Sequence, residues 1–202
     1  MKQLSLVKKP KSKFNRKEHG GHITLGRRRR RRQLDVKQPH HLVLRSDFAY
    51  GQRMLTRHRP LIRRIIEKSK RRFNIKIYEM AVVSNHIHLL VKGHSRIDLQ
   101  NFFRVVAGHI AQEILRQCPI KPGDRPQSGG GAPKALFKTV SKARERENKF
   151  WQTRIYSRVV SWGREFTTVK KYVIQNVLEA LGLIPYQARR SRRVKPNSSN
   201  TS

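Results

Sequence analysis

The sequence predicts a mixed α+β domain, a four-stranded antiparallel sheet with helices on both faces. Three observations predict it. Short β-branched and aliphatic runs alternate with longer segments whose apolar residues recur at helical spacing. Two strand-like runs, Ile75 to Val83 and His86 to Val91, follow one another across Ser84-Asn85, a turn signal that makes them an antiparallel hairpin. The elements fall in the order strand, helix, strand, strand, helix, strand, helix. The first six make a split βαβ, ferredoxin-like arrangement, with two helices on one face of the sheet. The last helix has no slot beside those two and is left to cover the opposite face.

Residues 1–33 hold few hydrophobes, and Arg27, Arg28, Arg29, Arg30, Arg31 and Arg32 follow without a break. Like charges at this density repel, so the arm is expected to stay disordered until phosphates neutralise it, in a contact that reads no sequence. The alternative is a solvated tail or a localisation tag. His40 to Arg45, with Pro39 before it and Ser46-Asp47 after, reads as the first strand. His40 and His41 are candidates for phosphate or substrate contact, although histidines at a strand end are more often solvated. Arg45, at the other end, is a candidate nucleic-acid contact.

Pro60 suits the first turn of a helix, where its missing N–H costs nothing. Leu61, Ile62, Ile65, Ile66 and Phe73 give that helix an apolar stripe, and Asn74 ends it. The hairpin follows, closed by Gly93. Ser95 caps the next helix, with Asp98 in the first turn where a carboxylate suits the helix dipole. Leu99, Phe102, Phe103, Val106, Ile110 and Ile114 form its stripe, and His109 beside them is expected to pack. From Pro119 to Lys149 prolines and glycines mark a flexible insertion.

A fourth strand is expected around Arg154 to Val160. Trp151 and Trp162 either stack nucleobases or finish the core, and Arg154 and Arg158 stand beside them as nucleic-acid contacts. Thr167 or Thr168 is expected to cap a last helix running to Gly182, with Pro185 as a stop. Val169, Val173, Val177 and Leu181, with Ile174 and Leu178, give it a wide apolar face. The domain thus spans 34–185, and residues 186–202 form a second loose basic tail.

Composition narrows the function. The chain has 202 residues, 36% of them hydrophobic, and a formal net charge of +35. A charge of this size calls for a polyanion, with nucleic acid ahead of an anionic membrane, because no basic stretch has an apolar face without core duties. The single cysteine, Cys118, excludes an internal disulfide framework and a cysteine-rich zinc finger. The first residues lack a secretory h-region, and no run approaches the roughly 20 apolar residues of a membrane span, so a cytoplasmic, nucleoid-associated protein is expected. The scarce carboxylates form no cluster for an all-acidic two-metal nuclease site.

The chemistry concentrates on the second strand of the hairpin. There Ile87, Leu89 and Val91 point to one face, and His86 and His88 to the other. Two imidazoles so placed are spaced to hold one metal ion; the plainer reading is an exposed edge strand that happens to carry two histidines. On the last helix Tyr172 and Asn176 stand one turn apart on a common face, with Gln175 beside them. If the helix covers the second face of the sheet, it brings Tyr172 and Asn176 over the histidines.

The segment Met80-Ala81-Val82-Val83-Ser84-Asn85-His86-Ile87-His88-Leu89-Leu90-Val91 resembles the signature of the Y1 single-strand transposases of the IS200/IS605 type, within the His-hydrophobe-His (HUH) endonucleases. It is closest in style to the REP-associated tyrosine transposases. Tyr172-Val173-Ile174-Gln175-Asn176 resembles that family's tyrosine helix, and Phe150-Trp151-Gln152 its usual strand entrance. The resemblance runs from Pro39 to Pro185. It implies Tyr172 as the nucleophile and His86, His88 and Asn176, with Gln175 as fallback, as ligands of Mg²⁺ or Mn²⁺. It also implies a 5′-phosphotyrosine intermediate and a single-stranded DNA substrate containing a hairpin. Family members work as monomers or as homodimers that share active sites. Val177 stands where that branch often has proline, away from the chemistry. Tyr78 and Tyr156 are the rival nucleophiles. Two other classes stay open: a domesticated DNA- or RNA-binding protein that no longer cuts, and a replication initiator or relaxase, for which this chain is short and poor in histidines around the metal.

Overall fold

The computed structural model describes residues 33–121, 123–124, 149–152 and 155–186. The six-arginine run, Arg154, most of the proline- and glycine-rich insertion and residues 187–202 lie outside the described residues. In chain order the elements are β1 (His40–Arg45), α1 (Arg59–Arg72), β2 (Ile75–Val82), β3 (His86–Gly93), α2 (Arg96–Gln117), β4 (Tyr156–Val159) and α3 (Arg164–Ala180). A short 3₁₀ turn, Gly51–Arg53, precedes α1.

The strands lie in the order β2-β3-β1-β4, and every neighbouring pair is antiparallel. This is the order that the split βαβ connection produces. Helices cover both faces, as the sequence predicts.

The first face is the larger core. Ile87, Leu89 and Val91 of β3 and Leu42 and Leu44 of β1 pack beneath Ile62, Ile65 and Ile66 of α1 and Leu99, Phe102, Phe103, Val106, Ile110 and Ile114 of α2. Both helices form there for local reasons. Pro60 sits in the first turn of α1, and the chain leaves that helix through Asn74 at φ 48°, a left-handed conformation asparagine tolerates. The Ser95 Oγ accepts a hydrogen bond from the Asp98 N–H at 3.0 Å and starts α2. Gly93 lets β3 end against that helix, since a Cβ there would stand 2.6 Å from the Leu99 Cγ. His109 is exposed, not packed as expected, because it lies on the outer side of α2.

The segment returning toward β4 docks on the end of β1. The Ser46 hydroxyl donates to the Phe150 carbonyl, and the Gln152 N–H donates to the Arg45 carbonyl at 2.8 Å. Trp151 is half-buried, and its Nε1–H donates to the Ala107 carbonyl at 2.7 Å, so this indole finishes the core.

The second face carries a smaller apolar cluster of Ala81, Leu90, Val160, Val169 and Val173 beneath α3. β4 is shorter than expected. α3 starts earlier than the threonines predict: Gly163, at φ 86°, makes the sharp entry, and the Thr167 and Thr168 hydroxyls donate back to the Gly163 and Arg164 carbonyls. Its apolar face is narrower than the sequence suggests, with Ile174 and Leu181 exposed to solvent.

Candidate active site

Alternation along β3 sends His86 and His88 to the α3 face, opposite the larger core. β1 runs alongside in a register that pairs Val43 with His88, Arg45 with His86 and His41 with Leu90. His41 therefore stands on the same face as the β3 histidines. Its Nε2 lies 3.1 Å from the His88 Nδ1 in a hydrogen bond, and the two rings stack with centroids 5.3 Å apart. The His86 Nδ1 lies 2.7 Å from the Asn85 Oδ1, and the His86 ring stands edge-on to His88 at 4.7 Å.

α3 completes the group. The Tyr172 ring is edge-on to His88 at 5.3 Å and to His41 at 5.8 Å. Asn176 is buried one turn further on, and its Nδ2 donates to the Tyr172 carbonyl at 2.6 Å. Gln175 is turned along the helix, its Nε2 donating to Glu179 at 2.7 Å. All these groups come from one chain. Tyr156 on β4 faces His41 at 6.2 Å. Burial pushes the Tyr156 phenol up from its ordinary pKa, with Arg158 opposing and Tyr172 adding to the rise.

The other residues singled out in the sequence fall elsewhere. Arg45 is exposed at the end of β1, across from His86. Arg158 is paired with Glu165, so its charge ties β4 to α3. Burial alone would push the Glu165 carboxyl up; the Ser161 N–H, donating at 2.8 Å, and Arg158 outweigh it and hold that carboxyl below the usual range. His40 and His41 correct the expectation of solvated strand-end histidines, being 0% and 6% exposed. His40 points into the larger core, where its Nε2 accepts from the Asp35 N–H at 3.1 Å. Sequence reasoning missed the site role of His41. The signal that finds it is the two-residue period, which puts His41 opposite Leu42 and Leu44.

Imidazole nitrogens and an amide oxygen are donors of a kind that a divalent cation takes. Asn85 Oδ1 is an acceptor, so His86 carries its proton on Nδ1 and offers Nε2 as ligand. His88 is likewise engaged through Nδ1, the pattern by which a second contact orients an imidazole to ligate through Nε2. Asn176 spends its Nδ2 on α3, which suits ligation through Oδ1. Among the described residues no group of three or more His, Cys, Asp and Glu side chains is arranged to hold a metal, so the third donor would be this amide.

A His-x-His strand and a tyrosine helix thus meet on one face of an antiparallel sheet. Residues 37–123 match the family model described as "Transposase IS200 like". The matched stretch holds β1 to α2, including His86 and His88, and ends before Tyr172. No curated protein matches. Among solved structures, a REP-associated tyrosine transposase bound to a REP hairpin is 16% identical, covering 75% of this chain and 73% of its own, with a TM-score of 0.49. A presumed transposase from Deinococcus radiodurans R1 is 11% identical over 68% of this chain and 89% of its own, with a TM-score of 0.39. Among the described residues no helix is long and apolar enough to cross a membrane.

Proposed function

We propose that the protein is a metal-dependent transposase that cuts and rejoins single-stranded DNA, directed by a hairpin or a short sequence, through a 5′-phosphotyrosine. The observation that carries this reading is the Tyr172 ring 5.3 Å from His88, on the face of the sheet away from the main core. The match of residues 37–123 to the transposase family model and the net charge of +35 support a DNA substrate.

His86 and His88 through Nε2, with Asn176 through Oδ1, would hold Mg²⁺ or Mn²⁺, which supplies stabilisation of the charge that builds on the scissile phosphate. Tyr172 attacks phosphorus. The bond from its Oη to phosphorus forms, the bond from phosphorus to the 3′ oxygen breaks, and the phenol's proton is balanced by the one the 3′ oxygen takes up. The exchange of one phosphodiester for another retains the bond energy, so rejoining needs no nucleotide triphosphate. His41 holds His88 in orientation.

The test is a labelled single-stranded hairpin oligonucleotide incubated with Mn²⁺. Wild type forms a covalent adduct; Tyr172→Phe loses it by at least about 10³-fold, while Tyr156→Phe keeps it. An undiminished adduct in Tyr172→Phe overturns the assignment. Binding without adduct under either metal points instead to a non-cleaving nucleic-acid binder.

A further inference from the structure

The α3 face continues beyond the histidines. Four residues along β3 from His88, about 13 Å at the rise of a strand, Lys92 emerges on the same face. It stands directly across from Lys76 on β2. Like charges opposite one another on neighbouring strands cost stability. The nearby carboxylates are already engaged: Glu79 with Lys170 and Glu165 with Arg158. Beside Lys92, just before the start of α3, sits Trp162, 45% exposed.

This indole is fixed in place. Its Nε1–H donates to the Lys37 carbonyl at 3.0 Å, and its backbone N–H donates to the Gln38 Oε1 at 3.3 Å. Tyr78 supports it edge-on at 5.7 Å and Phe166 at 5.0 Å. The Lys92 Nζ lies 5.9 Å from its ring centroid, and the Lys76 Nζ 5.3 Å from that of Tyr78. An aromatic face held partly in water, with one lysine beside it and a second beside its supporting tyrosine, is what a single strand of nucleic acid recognises: a base stacks, and its phosphates pair with the amines. The six-arginine run precedes Lys37 by five residues in the sequence.

We infer that Trp162, with Lys76 and Lys92, is a base-stacking platform for single-stranded nucleic acid, on the same face as the histidine–tyrosine group and a few nucleotides from it. The single strand is the substrate of the function proposed above; the platform itself needs no cleavage to be tested.

The chain has two tryptophans, and Trp151 is tied into the core by Ala107, so quenching of indole fluorescence reports on Trp162. The titration uses the full chain carrying Tyr172→Phe, without metal, against a single-stranded oligonucleotide and its abasic counterpart. The intact strand is expected to quench, and the abasic strand to bind through charge with little quenching. Trp162→Ala is expected to weaken binding of the intact strand by about 5- to 100-fold and to leave binding of the abasic strand unchanged. Trp162→Phe, which keeps a stacking ring, should recover much of that affinity, and Lys76→Gln with Lys92→Gln should flatten the salt dependence. Wild-type affinity in Trp162→Ala, or equal quenching by the abasic strand, overturns the platform. Quenching without any covalent adduct in the wild-type enzyme would leave the platform standing and remove the cleavage reading; an adduct with no Trp162 effect would do the reverse.

Discussion

His40 and His41 are adjacent in sequence and buried alike, yet they belong to different halves of the molecule. His40 points into the apolar core under α1 and α2, where its Nε2 accepts from one backbone N–H. His41 points the other way, onto a second imidazole and two phenols. The first face buries a continuous set of large side chains and carries no chemistry. The second buries a few small ones, Ala81, Leu90 and the valines of α3, beside the polar groups of the site. A strand that alternates lets one backbone serve both purposes, with stability on one side and reactive groups on the other. The site is thereby mounted on the central strands of the sheet and closed by the helix that packs on the smaller core.

The comparison can be broken first where it predicts most. Phe102→Ala empties the centre of the large core and should cost about 3–5 kcal/mol in urea unfolding. The molecules that remain folded should still form the adduct at the wild-type rate; a slower rate per folded molecule would mean that the two faces are not separable. The histidine pair sharpens the contrast. Replacing His41 by Ala removes the contact that orients His88 and should weaken Mn²⁺ binding about 10- to 100-fold, read by electron paramagnetic resonance. His40→Ala leaves the Asp35 N–H without its acceptor and should cost about 1–3 kcal/mol of stability with Mn²⁺ affinity unchanged. Equal loss of Mn²⁺ affinity in both variants would erase the distinction.

The same division explains what the sequence discloses. β1, α1, the hairpin and the Ser95 cap of α2 are legible because each rests on local signals: a two-residue or helical period, a turn pair, a capping hydroxyl. The meeting of Tyr172 with His88 is legible too, because topology leaves the last helix only one face to cover. His41 is not, since its burial depends on α3 arriving from far along the chain, and the same residue at an open edge would be solvated. Arg158 reads as a nucleic-acid contact until Glu165, on a different element, takes its charge. The early start of α3 has the same origin: Glu165 holds the Ser161 N–H, and Gly163 supplies the turn, while the threonines that look like caps bond backward instead. Exposed Trp162 and half-buried Trp151 are indistinguishable by composition and differ only in which element receives them.

Glu165 offers the finest test, because it ties the start of α3 to Ser161 and to Arg158 of β4 and touches neither α1 nor α2. Its carboxyl is held below the usual range in the folded chain, against the upward push of burial, by the Ser161 N–H and Arg158. A depressed carboxylate contributes stability that is present above its unfolded value, about 4.3, and is lost as pH falls through the folded value. Both partners are about a third exposed, so water screens the pair and Glu165→Gln should cost less than about 1 kcal/mol at neutral pH. The gap between variant and wild type should close as the pH drops below about 4, where wild type loses the charge as well. Hydrogen exchange at neutral pH then locates the effect. Amides of α3 should exchange faster in the variant while those of α2 keep their wild-type rates, as expected if the helix over the histidines opens without the main core. Equal acceleration in both helices would show that the two faces open as one unit and that the reactive side has no looseness of its own.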